Sequence, residues 1–356
     1  MKRYMALAVL LSVLMGLLSG CGFWMDGERI SVEPYQEQRS SGYNQTVKVS
    51  TYMQMRNAVA NMVESGAESG VLIVSSFKGG SVHFYMDTAI RYVTDNNPLA
   101  AYAVDHISYE IGTNVGEEAV AVNITYRYDR TQLLRIAQAE DMEAAFGIIA
   151  ESLKSFDPSV VVRVPAYEET DFLQWVRDYA AENPDVVMET PKVAVSVYPE
   201  KGKERIVALD FTYQTSREAL KQMQETVEPV FTAAELYVKN ASQVRGKYAQ
   251  LYAFLMERSE YVVETSITPA YSLLNHGVGD SKAFANVYAA MCNKADLECH
   301  VITGTRDGAP WTWNLIYFRG AYYHLDLLRS GQTGEFSPML RSAMEGYVWD
   351  YSAYPE

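Results

Sequence analysis

Two stretches of this chain carry the same pattern of residues 86 to 87 positions apart, and that repeat constrains the architecture more than any other feature. Val71-Leu72-Ile73-Val74 is followed by a helical stretch, the pair Asn97-Pro98, a strand near Ala101 to Ile111 and another from Val120 to Tyr128. The order returns as Val160-Val161-Val162, a helical stretch around Phe172 to Ala181, Asn183-Pro184, a strand near Val186 to Val197 and one from Ile206 to Tyr213. A helix precedes the first strand of each copy, at about 51–65 and 131–154. Alternation at Val193, Val195 and Val197 suits a sheet with one covered face. Each copy, 49–130 and 131–215, is therefore expected to be an αβαββ unit the size of a small domain. Helical stretches at 216–239 and 242–258 follow, the second after the cap region Asn240-Ala241-Ser242, with 216–244 acting as a helical connector. Neither copy clusters His, Cys or paired acids, so the repeats are expected to scaffold or bind.

The N-terminus sets the compartment. Lys2 and Arg3 precede an apolar run from Met5 to Leu18, broken by Ser12 and Gly16, too short to span a bilayer comfortably and flanked like a secretory signal. Leu18-Ser19-Gly20-Cys21 resembles the bacterial lipobox, in which the chain is cut before a cysteine joined to diacylglycerol. Residues 1–20 are then a signal peptide, Cys21 the lipidation site, and the polar stretch 21–48 a flexible tether. At about 0.8 kcal/mol per buried CH₂, several acyl chains make that anchoring stable. The expected location is extracytoplasmic, on the bacterial cell membrane. Without Lys2 and Arg3 the mature chain has 28 basic and 44 acidic residues, which disfavours nucleic acid as a partner. The 26 tyrosines suit half-buried strands as well as binding surfaces. Cys292 sits in an apolar helical pattern and Cys299 at a strand start, where free thiols act as small hydrophobes. With no CxxC and no paired histidines, no zinc site is expected, and no other metal or cofactor is implied.

The chemistry, if any, belongs to 245–356. Asp280 is a good N-cap for a helix beginning at Ser281, whose buried face includes Phe284, Val287, Tyr288 and Met291. Val301-Ile302-Thr303-Gly304 has the pattern of a strand and turn. Trp311-Thr312-Trp313-Asn314-Leu315-Ile316-Tyr317 and Ala321-Tyr322-Tyr323-His324-Leu325-Asp326 form a hairpin turning near Arg319-Gly320.

This region resembles the transglutaminase-like (papain-like) superfamily over about 245–330. That family opens a helix with a catalytic cysteine in a G-x-C-x-x-x-A pattern, ends a strand in glycine, and carries H-A-W-N and W-Y-x-x-D on later strands. Counting back from Gly304 puts the cysteine position at Ser281, with Gly279 and Ala285 matching the motif's small residues. The histidine position falls at Trp311, with Trp313 and Asn314 matching the rest. Tyr322, Tyr323 and Asp326 match the last motif, and Asp326 holds the triad acid position. The resemblance implies an α+β fold in which helices pack on an antiparallel sheet after the two αβαββ repeats.

It also implies a triad with two roles empty. In the family a thiolate attacks an acyl carbon, activated by histidine that the acid orients. A serine hydroxyl needs an adjacent base far more than a thiol does, and an indole nitrogen is a donor only. The expected protein is therefore a pseudoenzyme: a cleft lined by Ser281, Trp311, Trp313 and Asp326 binds a peptide, a protein or a cell-wall component. Two alternatives stand beside it. His324 or His276 could replace the lost base and make a Ser281-dependent hydrolase or acyl transferase, or the protein could be a structural surface adaptor working through its repeats.

Overall fold

Short polar side chains start the helices of the first repeat. In the computed structural model, which describes residues 46–355, Thr51, Ser81 and Asn97 leave the chain extended and accept from the N–H of Gln54, Phe84 and Ala100. They open α1 (Tyr52–Glu64), α2 (Val82–Asn96) and α3 (Pro98–Ala103), the last with proline in its first turn. The strands are β1 (Thr46–Lys48), β2 (Ser69–Ile73), β3 (Val104–Asn114) and β4 (Glu117–Tyr126), in sheet order β1-β2-β4-β3. Along β4 the alternate residues Val120, Val122 and Ile124 are buried beneath α1 and α2. The signal segment, Cys21 and most of the tether lie outside the described residues. The tether's last residues do not remain loose: Thr46–Lys48 pairs parallel with β2, covering what would otherwise be a bare sheet edge.

The second repeat has the same sheet order but departs from expectation in two places, for the strand expected near Val186 to Val197 begins only at Lys192 and one helix is broken. The single helix expected at 131–154 is broken into α4 (Arg130–Leu133), β5 (Ala137–Gln138) and α5 (Met142–Lys154). Asp129 and Gln132 cap the first turn reciprocally, Asp141 caps α5 anew, and β5 between them pairs parallel with β6 (Ser159–Val164) just as β1 pairs with β2. With α6 (Phe172–Glu182), β7 (Lys192–Tyr198) and β8 (Arg205–Thr212), the sheet runs β5-β6-β8-β7. Asn183 does not open a helix as Asn97 does. Its amide donates back to the Tyr179 carbonyl, ending α6, and Pro184 leads into one turn.

The rest of the described chain is built around one helix. After α7 (Arg217–Thr232), α8 (Ala234–Val238) and α9 (Val244–Met256) come β9 (Glu260–Tyr261), α10 (Pro269–His276), β10 (Val278–Gly279) and α11 (Ser281–Lys294). An antiparallel sheet follows, in order β13-β12-β11-β14, from β11 (Cys299–Arg306), β12 (Ala309–Phe318), β13 (Ala321–Leu325) and β14 (Tyr347–Val348), with α12 (Leu327–Thr333) after β13. Phe284, Val287, Tyr288 and Met291 of α11 pack on Ile316, Phe318 and Leu325. Leu220, Val227 and Phe231 of α7 are fully buried in the same core, so the stretch expected to connect domains is structural here. At roughly 1.5–3 kcal/mol for each buried side chain, those three contribute as much as the whole margin of a typical domain. The cap of α9 is Gln243 rather than the Asn240-Ala241-Ser242 stretch, and it makes no side-chain capping bond.

Gly304 is not a turn. β11 runs through it to Arg306, and the reversal comes at Asp307-Gly308. Glycine is required because β14 crosses here: a Cβ at 304 would overlap the Val348 carbonyl oxygen and come within 3.0 Å of the Trp313 ring. Arg319 and Gly320, both with positive φ, turn the β12–β13 hairpin. Among the described residues no helix is long and apolar enough to cross a membrane, and no group of His, Cys, Asp and Glu could hold a metal ion.

Candidate functional site

Close packing brings the chain to Ser281 in one conformation. Gly277 ends α10 with φ 73°, and a side chain there would run into the Arg258 carbonyl. Gly279 is wedged so that a Cβ would sit 3.1 Å from Leu273 and 3.2 Å from Ala283. Short β9 and β10 pair in parallel between them. Asp280 then caps α11: one oxygen accepts the Ala283 N–H at 2.8 Å and the other accepts the Thr265 hydroxyl at 2.8 Å. Ser281 is the first helical residue and is half-buried. Its Oγ accepts the Thr312 N–H at a long 3.4 Å. One turn on, the Asn314 amide donates to the Ala285 carbonyl at 2.9 Å and fixes β12 against the helix.

At the other end of the site stands Asp326, only 1% exposed. Oδ2 accepts from the Trp311 indole N–H at 2.9 Å, from Arg306 Nη1 at 3.0 Å and from the Tyr347 hydroxyl at 2.6 Å. Oδ1 accepts the backbone N–H groups of Leu328 and Arg329, capping α12. Burial, and after it the Asp326 carboxylate, pushes the Tyr347 phenol well above its ordinary range. The half-buried Trp311 ring lies against Tyr261, centroids 5.6 Å apart, with the Arg306 guanidinium 5.3 Å from its centre.

Of the four residues expected to line a cleft, only Ser281 and Trp311 reach solvent. Trp313 is 1% exposed, packed edge-on against Tyr347 and Trp349. Its indole N–H donates to His324 Nδ1 at 3.1 Å, so that nitrogen carries no proton. Burial, and then the positive charge of Arg341, holds His324 down at about 4. His276 is exposed at the end of α10, against Tyr271 and Asn275. Neither histidine hydrogen-bonds to Ser281. Tyr322 donates to Glu298, while Tyr323 stacks on Phe318. Cys292 and Cys299 are free and buried, and burial followed by the neighbouring Cys299 thiol raises Cys292 far above the ordinary thiol range, where it is inert.

Arg306 and Tyr347 carry no sequence motif, and both hold the acid. Arg306 lies on β11 opposite Tyr347 on β14, a pairing between residues 41 positions apart.

Residues 232–327 match the family model of the transglutaminase-like superfamily. The chain thus contains a transglutaminase-like domain with an α+β fold. Three solved structures show partial overlap. One described as a TGase is 12% identical, with TM-score 0.28, covering 59% of this chain and 62% of that one. A putative cysteine protease from Cytophaga hutchinsonii is 12% identical, with TM-score 0.27, covering 42% and 65%. A putative protease from Parabacteroides distasonis is 9% identical, with TM-score 0.25, covering 72% and 39%. The chain spans less than two thirds of the length of each. Comparison with curated protein sequences gives no match.

Proposed function

We propose that this protein is an extracytoplasmic lipoprotein, anchored through lipid on Cys21, whose transglutaminase-like domain binds a peptide, protein or cell-wall ligand without catalysis. The superfamily is usually enzymatic, so the non-catalytic reading rests on one observation. Where the family places its base, the Trp311 indole N–H donates to the acid and has no lone pair with which to take a proton. Arg306 and Tyr347 occupy the same carboxylate oxygen, so Asp326 acts as a fixed structural anion. Ser281 Oγ has a backbone donor beside it and no acceptor of its proton. The half-buried Trp311 and Ser281 supply the accessible part of the binding surface; buried Trp313 and Asp326 support it from behind.

The rearranged hydrolase has less support. A histidine held at about 4 and bonded to Trp313 is a poor base at neutral pH, and His276 faces solvent. A purely structural adaptor keeps one observation in its favour, the closure of the site's inner half by Trp313.

An activity probe separates these. A fluorophosphonate should leave the full chain unlabelled, whereas labelling lost on Ser281→Ala would overturn the non-catalytic reading. For the anchor, radiolabelled palmitate fed to expressing cells should appear on the chain and vanish with Cys21→Ala.

A further inference from the structure

A cavity of about 280 Å³ lies beside the first turn of α11, between the transglutaminase-like domain and the second repeat. One wall comes from α6 and the turn after it, through Ala181, Pro184, Val187 and Met188; the other is Ala270, Ala283 and Val287. The walls are thus apolar and the volume suits one amino-acid side chain with some backbone, a small version of an ordinary ligand pocket at a domain boundary. The polar groups are sorted by type. Two carboxylates line the cavity, and both are turned to partners in the protein. Asp280 accepts from Ala283 and Thr265, and buried Glu189 accepts the N–H groups of Gln214 and Thr215 at 2.6 and 3.0 Å. The two cations are not so engaged. Lys282 and Arg177 are exposed, and among the described residues neither makes an ion pair; Arg177 donates only to Gln174 on its own helix. Asn286 follows Lys282 by four residues, on the same face of α11. Its Oδ1 is buried without a partner, so the open end of this amide is an acceptor. The open hydrogen-bonding capacity is therefore two cations and one amide oxygen, above apolar walls.

We infer that this cavity binds the C-terminal residue of a peptide, its carboxylate taken by Lys282 and Arg177, its backbone N–H by Asn286 Oδ1 and its apolar side chain by Val187, Met188 and Val287. The inference rests on the reading that the domain binds rather than cuts, and it moves the ligand's main contact from Ser281 and Trp311 to the adjoining pocket. Each oxygen of the two acids already accepts one of the protein's own N–H or O–H donors, whereas neither cation has an anionic partner among the described residues.

The test is calorimetric titration of the purified full chain with N-acetyl-alanyl-leucine, the same dipeptide as its C-terminal amide, hexanoate and leucinamide. The free acid is expected to bind saturably and the amide about tenfold more weakly, the loss of one charge-assisted contact. Lys282→Glu should abolish the preference for the acid. A glutamate in the first turn of a helix favours folding, so an unchanged melting temperature separates this from unfolding. Asn286→Leu should weaken acid and amide alike. Equal binding of acid and amide, hexanoate binding as tightly as the peptide, tighter binding of leucinamide, no saturable binding, or full affinity in Lys282→Glu would each overturn the inference. Binding lost in Trp311→Ala and kept in Lys282→Glu would remove this pocket and leave the non-catalytic reading intact. Cleavage of the peptide dependent on Ser281 would instead break that reading.

Discussion

Asp326 and Ser281 mark the two ends of the candidate site, and they are held very differently. The acid takes five hydrogen bonds, three of them from side chains on three strands or their flanks and two from the backbone of the helix it caps. The serine takes one, at 3.4 Å. A position kept for catalysis would need the nucleophile end as tightly oriented as the acid end, since a small misplacement costs much of the rate. Here order is concentrated where it joins β11, β12, β14 and α12. The carboxylate of Asp326 ties these elements together, and the Ser281 hydroxyl does not.

Asp326→Ala should therefore have the largest effect on folding. It strands Arg306, the indole N–H, the Tyr347 hydroxyl and two N–H groups of α12 at a site that water hardly reaches. Breaking a buried ion pair by removing one partner costs about 3–5 kcal/mol. Urea unfolding should show that loss; a cost below about 1 kcal/mol, the range of exposed pairs, would break the contrast.

His324 extends the comparison to pH. Its folded value of about 4 lies below the usual 6.5, so the unfolded state binds the proton first. Its contribution is fully present above pH 6.5 and is lost as the pH falls toward 4. At 1.36 kcal/mol per unit, that is on the order of 3 kcal/mol. Urea midpoints at pH 7.5 and 5 should diverge in the wild type more than in His324→Phe; equal divergence would mean that His324 is protonated at no cost within its aromatic cage.

Gly304→Ala comes next. The methyl group meets the Val348 carbonyl and the Trp313 ring, and β14 must shift, drawing Tyr347 from Asp326. Overpacking of this kind costs about 1–3 kcal/mol. Rising accessibility of Trp313 to acrylamide quenching would report the displacement, and an unmoved quenching constant would show that the acid end does not depend on β14.

The parts visible in sequence were those with a local cause. The cap at Asp280 and the alternation of Val193, Val195 and Val197 follow from neighbouring residues, and they located the start of α11 and the strand β7. Strands β1 and β5, of three and two residues, are too short to carry a period and exist only because a sheet edge is there to receive them. The break in 131–154 had a signal in Asp141, whose capping role competes with helix continuation. Position 311 could be found by counting along the family's motifs, but what its indole does could not. That bond depends on the register of β12 against β13 and on where α12 begins. Arg306 and Tyr347 join the site only when β14 closes on β11, a tertiary event without a local trace.

The smallest predicted effect is the sharpest test of the contrast. Ser281→Ala removes an acceptor whose hydrogen bond to Thr312 is longer than the usual 2.7–3.2 Å, at a first-turn position where alanine is an equal or better helix former. The helix keeps its cap, since Asp280 and its bonds to Ala283 and Thr265 are untouched. The Thr312 N–H loses a partner, yet it faces a half-buried serine beside solvent, so water can replace it. The expected change is within about 0.5 kcal/mol in urea unfolding, as for surface substitutions away from special features. A loss of more than about 1.5 kcal/mol would match the strongest neutral hydrogen bonds. It would mean that the hydroxyl is as firmly held as the carboxylate, and the two ends of the site would no longer differ.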